Sequence, residues 1–289
     1  MIVGICGAGT MGRGIAIATL QAGHAVVLYD LQQHTVDEAL ASVRAALTKA
    51  VEKGKLSSEA AERASAQLQG CSTLDGLAAC DLLVEAIVER MDVKHALFTQ
   101  LEQIVAPTAI LATNTSSISI AALASPLQHR DRFVGLHFFN PAHIMKLVEV
   151  IRGPETSQAT VDLCLSFARE LGKTPAVAKD VPGFIVNRVA RNFYNEAQRI
   201  VMEGAAEVPQ VDTLMKGLGF RMGPFELMDL IGVDTNLDVT KSQWQQFFLE
   251  PRFMPSLLQQ QVVDAGATGK KSGRGFYTYP PTTGKNEPS

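Results

Sequence analysis

The first two-thirds of the chain alternate short apolar runs with amphipathic stretches. Ile2 to Cys6, Ala25 to Tyr29, Asp81 to Ala86, Ala109 to Thr113, Phe133 to Phe139 and Lys146 to Ile151 are short and almost continuously apolar, which predicts buried strands. Ala176-Val177-Ala178 predicts a last, shorter strand. Between them, Arg13 to Ala22, Asp92 to Val105 and Thr160 to Leu171 have helical composition and stop at Gly23, Pro107 and Gly172. Thr35 to Leu68 is Ala-rich and charged, with a break at Gly54-Lys55-Leu56-Ser57. It predicts two antiparallel helices, the second capped by Ser57 or Ser58, longer than a minimal Rossmann crossover needs. The character changes at Asp180-Val181-Pro182-Gly183. Phe184 to Gly204, Pro209 to Leu218, Pro224 to Val239 and Pro255 to Ala265 then suit helices, and the tail after Pro280 reads as loose.

Composition narrows the class of protein. A chain of 289 residues has room for two domains, and 46% hydrophobic with 19% charged residues is an ordinary globular balance. A net charge of −3 without a long Lys/Arg block argues against nucleic acid or a membrane surface as partner. Cys6, Cys71, Cys80 and Cys164 show no C-x-x-C spacing and no nearby histidine, so neither disulfides nor a metal site is expected, which fits a cytoplasmic location. The apolar N-terminus lacks a basic start and is interrupted at Gly4, Gly7, Gly9, Gly12 and Gly14, so it does not read as a signal peptide.

Those glycines carry the first chemistry. Gly7-Ala8-Gly9-Thr10-Met11-Gly12 follows one predicted strand and opens a helix, and a second strand ends at Asp30, eighteen residues after Gly12. In such a β-α-β unit, Gly7 permits the tight turn, Gly9 lets the backbone approach a pyrophosphate, and Gly12 allows close helix–strand packing. The helix start at Thr10 and Met11 offers N–H groups to phosphate. Asp30 can accept both ribose hydroxyls and would repel a 2′-phosphate, so the cofactor expected is NAD rather than NADP. The fold class that follows is α/β: a Rossmann-type dinucleotide-binding domain over residues 1–182 with an inserted helical pair, then an all-α domain over 183–289.

Gly135-Leu136-His137-Phe138-Phe139-Asn140-Pro141 places a histidine in an apolar strand, and Lys146-Leu147-Val148-Glu149-Val150-Ile151 places a carboxylate in the next. A buried charge is costly unless paired. Neighbouring strands could bring His137 and Glu149 together, either as a quiet core pair or as an oriented general base. These two residues alone leave both open. Asn114-Thr115-Ser116-Ser117 follows a strand of the same sheet and belongs at its carboxyl edge, where a cofactor binds.

The glycine loop, Asn114 to Ser117, Gly135 to Pro141, Lys146 to Val150 and Pro182-Gly183-Phe184-Ile185-Val186-Asn187-Arg188 together resemble the L-3-hydroxyacyl-CoA dehydrogenase family. Gly223 to Gly232 and Gly269 to Tyr277 match it as well, so the likeness runs from Ile2 to about Tyr279. The length is similar to that of the short bacterial members, often called 3-hydroxybutyryl-CoA dehydrogenases. The resemblance implies NAD-dependent oxidation of (S)-3-hydroxyacyl-CoA, or its reverse. His137 would be the base, Glu149 its orienting carboxylate, and Ser116 and Asn187 the holders of the substrate oxygen. It also implies NAD contacts at Glu89, Lys94, Asn114, Ser116, Asn140 and Lys271, and CoA contacts at Ser42 and Lys49.

Plainer roles stand beside these. Ser116 could cap a helix starting at Ile118, Asn187 could satisfy a helix start, and Glu89 with Lys94 could be a surface pair. Gly223 to Gly232 reads as packing and dimer surface, and Lys270-Lys271 could be solvated charge. Ser42, Lys49 and Lys53 share one helix face, suited to CoA phosphates or simply to solvent. A homodimer follows family habit and the apolar residues of the helical half, Phe220, Met222 and Phe225 among them. Alternatives are a 3-hydroxyadipyl-CoA dehydrogenase of aromatic degradation, a dehydrogenase of a free hydroxy or sugar acid, and a non-catalytic NAD-binding protein.

Overall fold

The computed structural model describes residues Met1–Pro280; the tail beyond, expected to be loose, lies outside the described residues. The chain divides into two compact units, Met1–Phe184 and the remainder from Ile185.

The first unit is built on an eight-stranded sheet. Its strands are β1 (Ile2–Cys6), β2 (Ala25–Tyr29), β3 (Leu68–Cys71), β4 (Leu82–Glu85), β5 (Ile110–Thr113), β6 (Phe133–Phe138), β7 (Leu147–Arg152) and β8 (Thr174–Lys179). Their order is β3-β2-β1-β4-β5-β6-β7-β8. All pairs are parallel except β6 with β7. Helices cover both faces, so alternate residues of one strand feed two separate cores. Val3, Ile5, Leu82 and Val84 pack on one side, and Cys6, Leu83, Leu111 and Phe133 on the other. Strands buried on both faces are apolar throughout, which is why they stand out in the sequence as continuous runs.

The helices of this unit are α1 (Thr10–Gln21), α2 (Gln33–Glu52), α3 (Ser58–Ala66), α4 (Met91–Ile104), α5 (Ile120–Ala124) and α6 (Gln158–Glu170). Ser57 caps α3, its side chain accepting from Ala60 N at 3.2 Å. The two helices expected over Thr35 to Leu68 are α2 and α3, and a strand that the sequence pattern does not assign follows them. Leu68–Cys71 forms an edge strand parallel to β2, so the helical pair is also part of the crossover into β3. The strand is hidden in the sequence because Gln69 and Gly70 are exposed and break its apolar run.

The second unit contains α7 (Val186–Met202), α8 (Val208–Gly217), α9 (Pro224–Ile231), α10 (Val233–Gln246) and α11 (Leu257–Asp264). The single helix expected over Pro224 to Val239 is two, because Gly232 adopts φ +107° and ends α9 before α10 begins. Tyr194, Ala197, Val211, Phe225 and Met228 form the core. Two buried aspartates clasp the segment after Gly269. Asp229 accepts from Phe276 N and Tyr277 N, both at 2.9 Å, and from the Tyr279 hydroxyl at 2.8 Å. Asp212 accepts from Phe225 N at 3.0 Å, Glu226 N at 2.9 Å and the Tyr277 hydroxyl at 2.8 Å. The Gly223–Gly232 and Gly269–Tyr277 motifs thus pack against each other.

All four cysteines are free thiols. Burial pushes Cys80 and Cys164 up to about 12, which keeps them protonated and unreactive. No helix among the described residues is long and apolar enough to cross a membrane, and no His/Cys/Asp/Glu group there could hold a metal ion.

Candidate active site

The strand order reverses direction between β1 and β4, and a crevice opens there beyond the carboxyl ends of the strands. The loop after β1 lies at its mouth. Gly7 has φ +111°, and a Cβ on it would stand 2.6 Å from the Ala86 carbonyl oxygen. A Cβ on Gly12 would lie 1.8 Å from the Gly7 carbonyl oxygen, so only glycine lets α1 pack this close. A Cβ on Gly9 would meet nothing within 4 Å. It would project beside the cleft of about 600 Å³ lined by Gly7, Gly9, Asp30, Leu31, Leu74 and Val93. Gly9 caps α1 with its own side-chain space empty, and the helix N–H groups at Thr10 and Met11 have room for phosphate. The Asp30 carboxylate accepts from Ala8 N at 3.0 Å, which fixes it on the wall of the cleft. These residues fit a dinucleotide with free ribose hydroxyls.

The loop after β5 is held by several side-chain hydrogen bonds. Glu89 Oε1 accepts from the Thr115 hydroxyl, from Ser116 N at 3.3 Å and from the Ser117 hydroxyl at 3.1 Å. Asn114 Oδ1 accepts from Phe138 N at 2.8 Å and joins the ends of β5 and β6. Ser116 is half-buried. It does not cap α5: that helix starts at Ile120, and Ser119 caps it by accepting from Ala122 N at 3.2 Å. Asp180, which the sequence marks only as the start of the domain boundary, also accepts from Ile120 N and Ala121 N at 2.9 and 2.8 Å.

Lys94 lies beneath this loop, its side chain 1% exposed. Its Nζ donates to Glu85 Oε1 at 2.6 Å and pairs with Glu89 Oε2 at 3.0 Å. Glu89 and Lys94 are therefore no surface pair; the lysine is a buried bridge. Burial alone would raise the Glu89 carboxyl, but the Lys94 charge and the hydroxyls of Thr115 and Ser117 outweigh it and hold it below the usual range. Glu85 is fully buried and was not among the residues expected at the site. The signal that could have found it is a carboxylate inside the apolar run of β4, the same signal that marks Glu149.

His137 and Glu149 stand directly opposite each other in the antiparallel β6–β7 pair. Nδ1 lies 2.8 Å from Glu149 Oε2, and the two side chains are 6% and 1% exposed. An ionised carboxylate only accepts, so Nδ1–H donates and the imidazole lone pair sits on Nε2. Phe139 and Phe184 flank the ring, at centroid distances of 4.5 and 5.9 Å. Asn140 is exposed at the end of this segment, before a cis peptide bond to Pro141. A tautomer-locked imidazole in an apolar wall can take a proton from a hydroxyl brought to Nε2.

The remaining expected contacts are dispersed. Ser42 and Lys49 are exposed on α2, and Lys53 is exposed at its C-cap. Asn187 is half-buried in the first turn of α7 in the second unit. Lys271, in the same unit, pairs with Asp234 at 2.6 Å.

Comparison with known proteins agrees with this geometry. Residues 2–181 match the family described as "3-hydroxyacyl-CoA dehydrogenase, NAD binding domain", and residues 183–279 match "3-hydroxyacyl-CoA dehydrogenase, C-terminal domain". A 3-hydroxyadipyl-CoA dehydrogenase of Escherichia coli is 46% identical over 96% of this chain, which spans 58% of that longer protein. A probable 3-hydroxybutyryl-CoA dehydrogenase of Deinococcus radiodurans is 45% identical, with 96% of this chain and 100% of that protein covered. The crystal structure of (S)-3-hydroxybutyryl-CoA dehydrogenase from Ralstonia eutropha superposes with a TM-score of 0.93 at 41% identity, covering 96% of this chain and 99% of that one. The chain belongs to the 3-hydroxyacyl-CoA dehydrogenase family, a family of NAD-dependent oxidoreductases, and its first unit is the family's NAD-binding domain.

Proposed function

We propose that this protein interconverts (S)-3-hydroxyacyl-CoA and 3-oxoacyl-CoA with NAD, acting on a short acyl group such as 3-hydroxybutyryl. The observation that carries this reading is the buried His137–Glu149 pair, 2.8 Å apart, with His137 on β6, the strand next to β5, whose following loop bears Ser116. In the oxidation direction, His137 Nε2 takes the proton of the 3-hydroxyl as hydride leaves the same carbon. Glu149 stabilises the imidazolium that forms. Ser116 holds the substrate oxygen, and Asn187 contributes to the same task from α7. NAD, when bound, supplies the hydride acceptor. Gly7, Gly9, Thr10, Met11 and Gly12 hold its pyrophosphate and Asp30 its ribose, with Glu89, Lys94, Asn114, Asn140 and Lys271 completing the contacts. Ser42, Lys49 and Lys53 receive the CoA phosphates. The protein acts as a homodimer through the exposed apolar side chains of the second unit, among them Leu214, Leu218, Phe248 and Leu257.

NADH consumption with acetoacetyl-CoA against free acetoacetate tests this reading. Turnover of the thioester is expected. Turnover of the free acid alone would remove the CoA assignment, and NADH binding without turnover of either would leave a non-catalytic cofactor protein. A second reading, a dicarboxylic acyl group, draws support from the name of the E. coli relative. It prevails if 3-oxoadipyl-CoA has the higher kcat/KM in the same assay.

A further inference from the structure

Glu85 is a fully buried carboxylate beneath the 114–117 loop that the chemistry above does not use. It ends β4, and each oxygen is engaged. Oε1 accepts from Lys94 Nζ at 2.6 Å and Ile87 N at 2.8 Å, and Oε2 accepts from the Thr113 hydroxyl at 2.7 Å. Thr113 Oγ1 in turn accepts from Thr115 N at 3.2 Å. Lys94 passes the contact on to Glu89, which gathers Thr115, Ser116 and Ser117. One continuous chain therefore runs from a buried strand end to the serine expected to meet substrate. Two carboxylates and one ammonium leave a single net negative charge, most of it screened from water, since Lys94 and Glu85 are buried and only Glu89 is partly exposed. Without Glu85 the ammonium would neutralise Glu89, and this three-residue cluster would carry no net charge.

We propose that Glu85 is a positioning residue that orders the 114–117 loop through Lys94 and Thr113, and that its charge biases the site toward oxidised over reduced NAD. The proposal rests on the reading that this loop faces the nicotinamide. The oxidised ring is a cation and the reduced ring is neutral, whereas the phosphates, riboses and adenine are the same in both. A net negative charge held in low dielectric near the ring therefore tightens NAD+ relative to NADH. A role in folding alone would weaken both forms together.

The test is the dissociation constant of each form, by fluorescence titration, in the wild type and in Glu85→Gln. The substitution keeps the shape of the side chain and removes its charge. The Kd for NAD+ is expected to rise relative to that for NADH by roughly four- to twentyfold, the Coulomb effect of one charge for an assumed separation of about 10 Å and an effective dielectric of about 20 to 40. Equal changes for both forms would overturn the charge assignment. Thr113→Val supplies the second arm and stands in should Glu85→Gln not fold, because it removes a hydroxyl and leaves the charge. It should lower turnover of acetoacetyl-CoA by about tenfold, one lost positioning hydrogen bond, and leave the NAD+/NADH affinity ratio within about twofold, since no charge is removed. Unchanged turnover, or a ratio shift as large as that expected for Glu85→Gln, would overturn the proposal. An inactive wild type with the expected ratio shift would remove the dehydrogenase reading and leave the charge bias standing; an active wild type without the shift does the reverse.

Discussion

At the scale of single residues, the pair to test is His137 and Glu149. Both are almost fully buried, and they pair with each other at 2.8 Å. His137→Gln keeps a polar group of similar size in the wall but cannot take a proton. Turnover should fall by about three powers of ten or more, within the range a positioned general base contributes, while NAD affinity stays nearly constant. Comparable losses in turnover and in NAD affinity would make His137 structural. This pair is legible in the amino-acid sequence, because strands of period two joined by a turn place facing residues at a spacing that can be counted. Glu85 is not legible in the same way. Its partner Lys94 lies nine residues on, across a loop and on a helix, and nothing local predicts that this lysine turns inward.

At the scale of elements, α2 bears on the CoA moiety. Val36, Ala39, Val43 and Leu47 bury one side of it, and Ser42 and Lys49 remain exposed on the other, with Lys53 following at the cap. Among the described residues no ion pair occupies Lys49 or Lys53. Lys49→Ala with Lys53→Ala should raise the KM for acetoacetyl-CoA by roughly tenfold, consistent with two exposed charge contacts of up to about 1 kcal/mol each. The kcat should stay unchanged, and so should the kinetics of acetoacetyl-pantetheine, which lacks the nucleotide phosphates. An equal KM increase for the truncated thioester would detach the lysines from the phosphates. Element boundaries follow from caps and breakers where these are strong, as at Ser57 for α3. They fail at β3, a half-exposed edge strand with Gln69 and Gly70 in its middle, and at Gly232, where one backbone angle divides a continuous apolar pattern into α9 and α10.

At the scale of the whole molecule, Leu214, Leu218, Phe248 and Leu257 are each more than half exposed on the second unit. These are side chains that the proposed homodimer would cover. Sedimentation at micromolar concentration should give twice the mass of the chain, and a single-chain mass would remove the homodimer. The sequence by itself determined the class of sheet, the glycine loop with Asp30 at the end of the next strand, and the His137–Glu149 pair. These depend on periodicity, turn chemistry and short spacings, all of which are local. Only the tertiary structure decided that Leu68–Cys71 joins the sheet, that Ser119 rather than Ser116 caps α5, and that Lys94 is buried between Glu85 and Glu89. Those outcomes depend on which elements come to lie side by side. Burying a charge is favourable only when its partner, distant in sequence, is already in place.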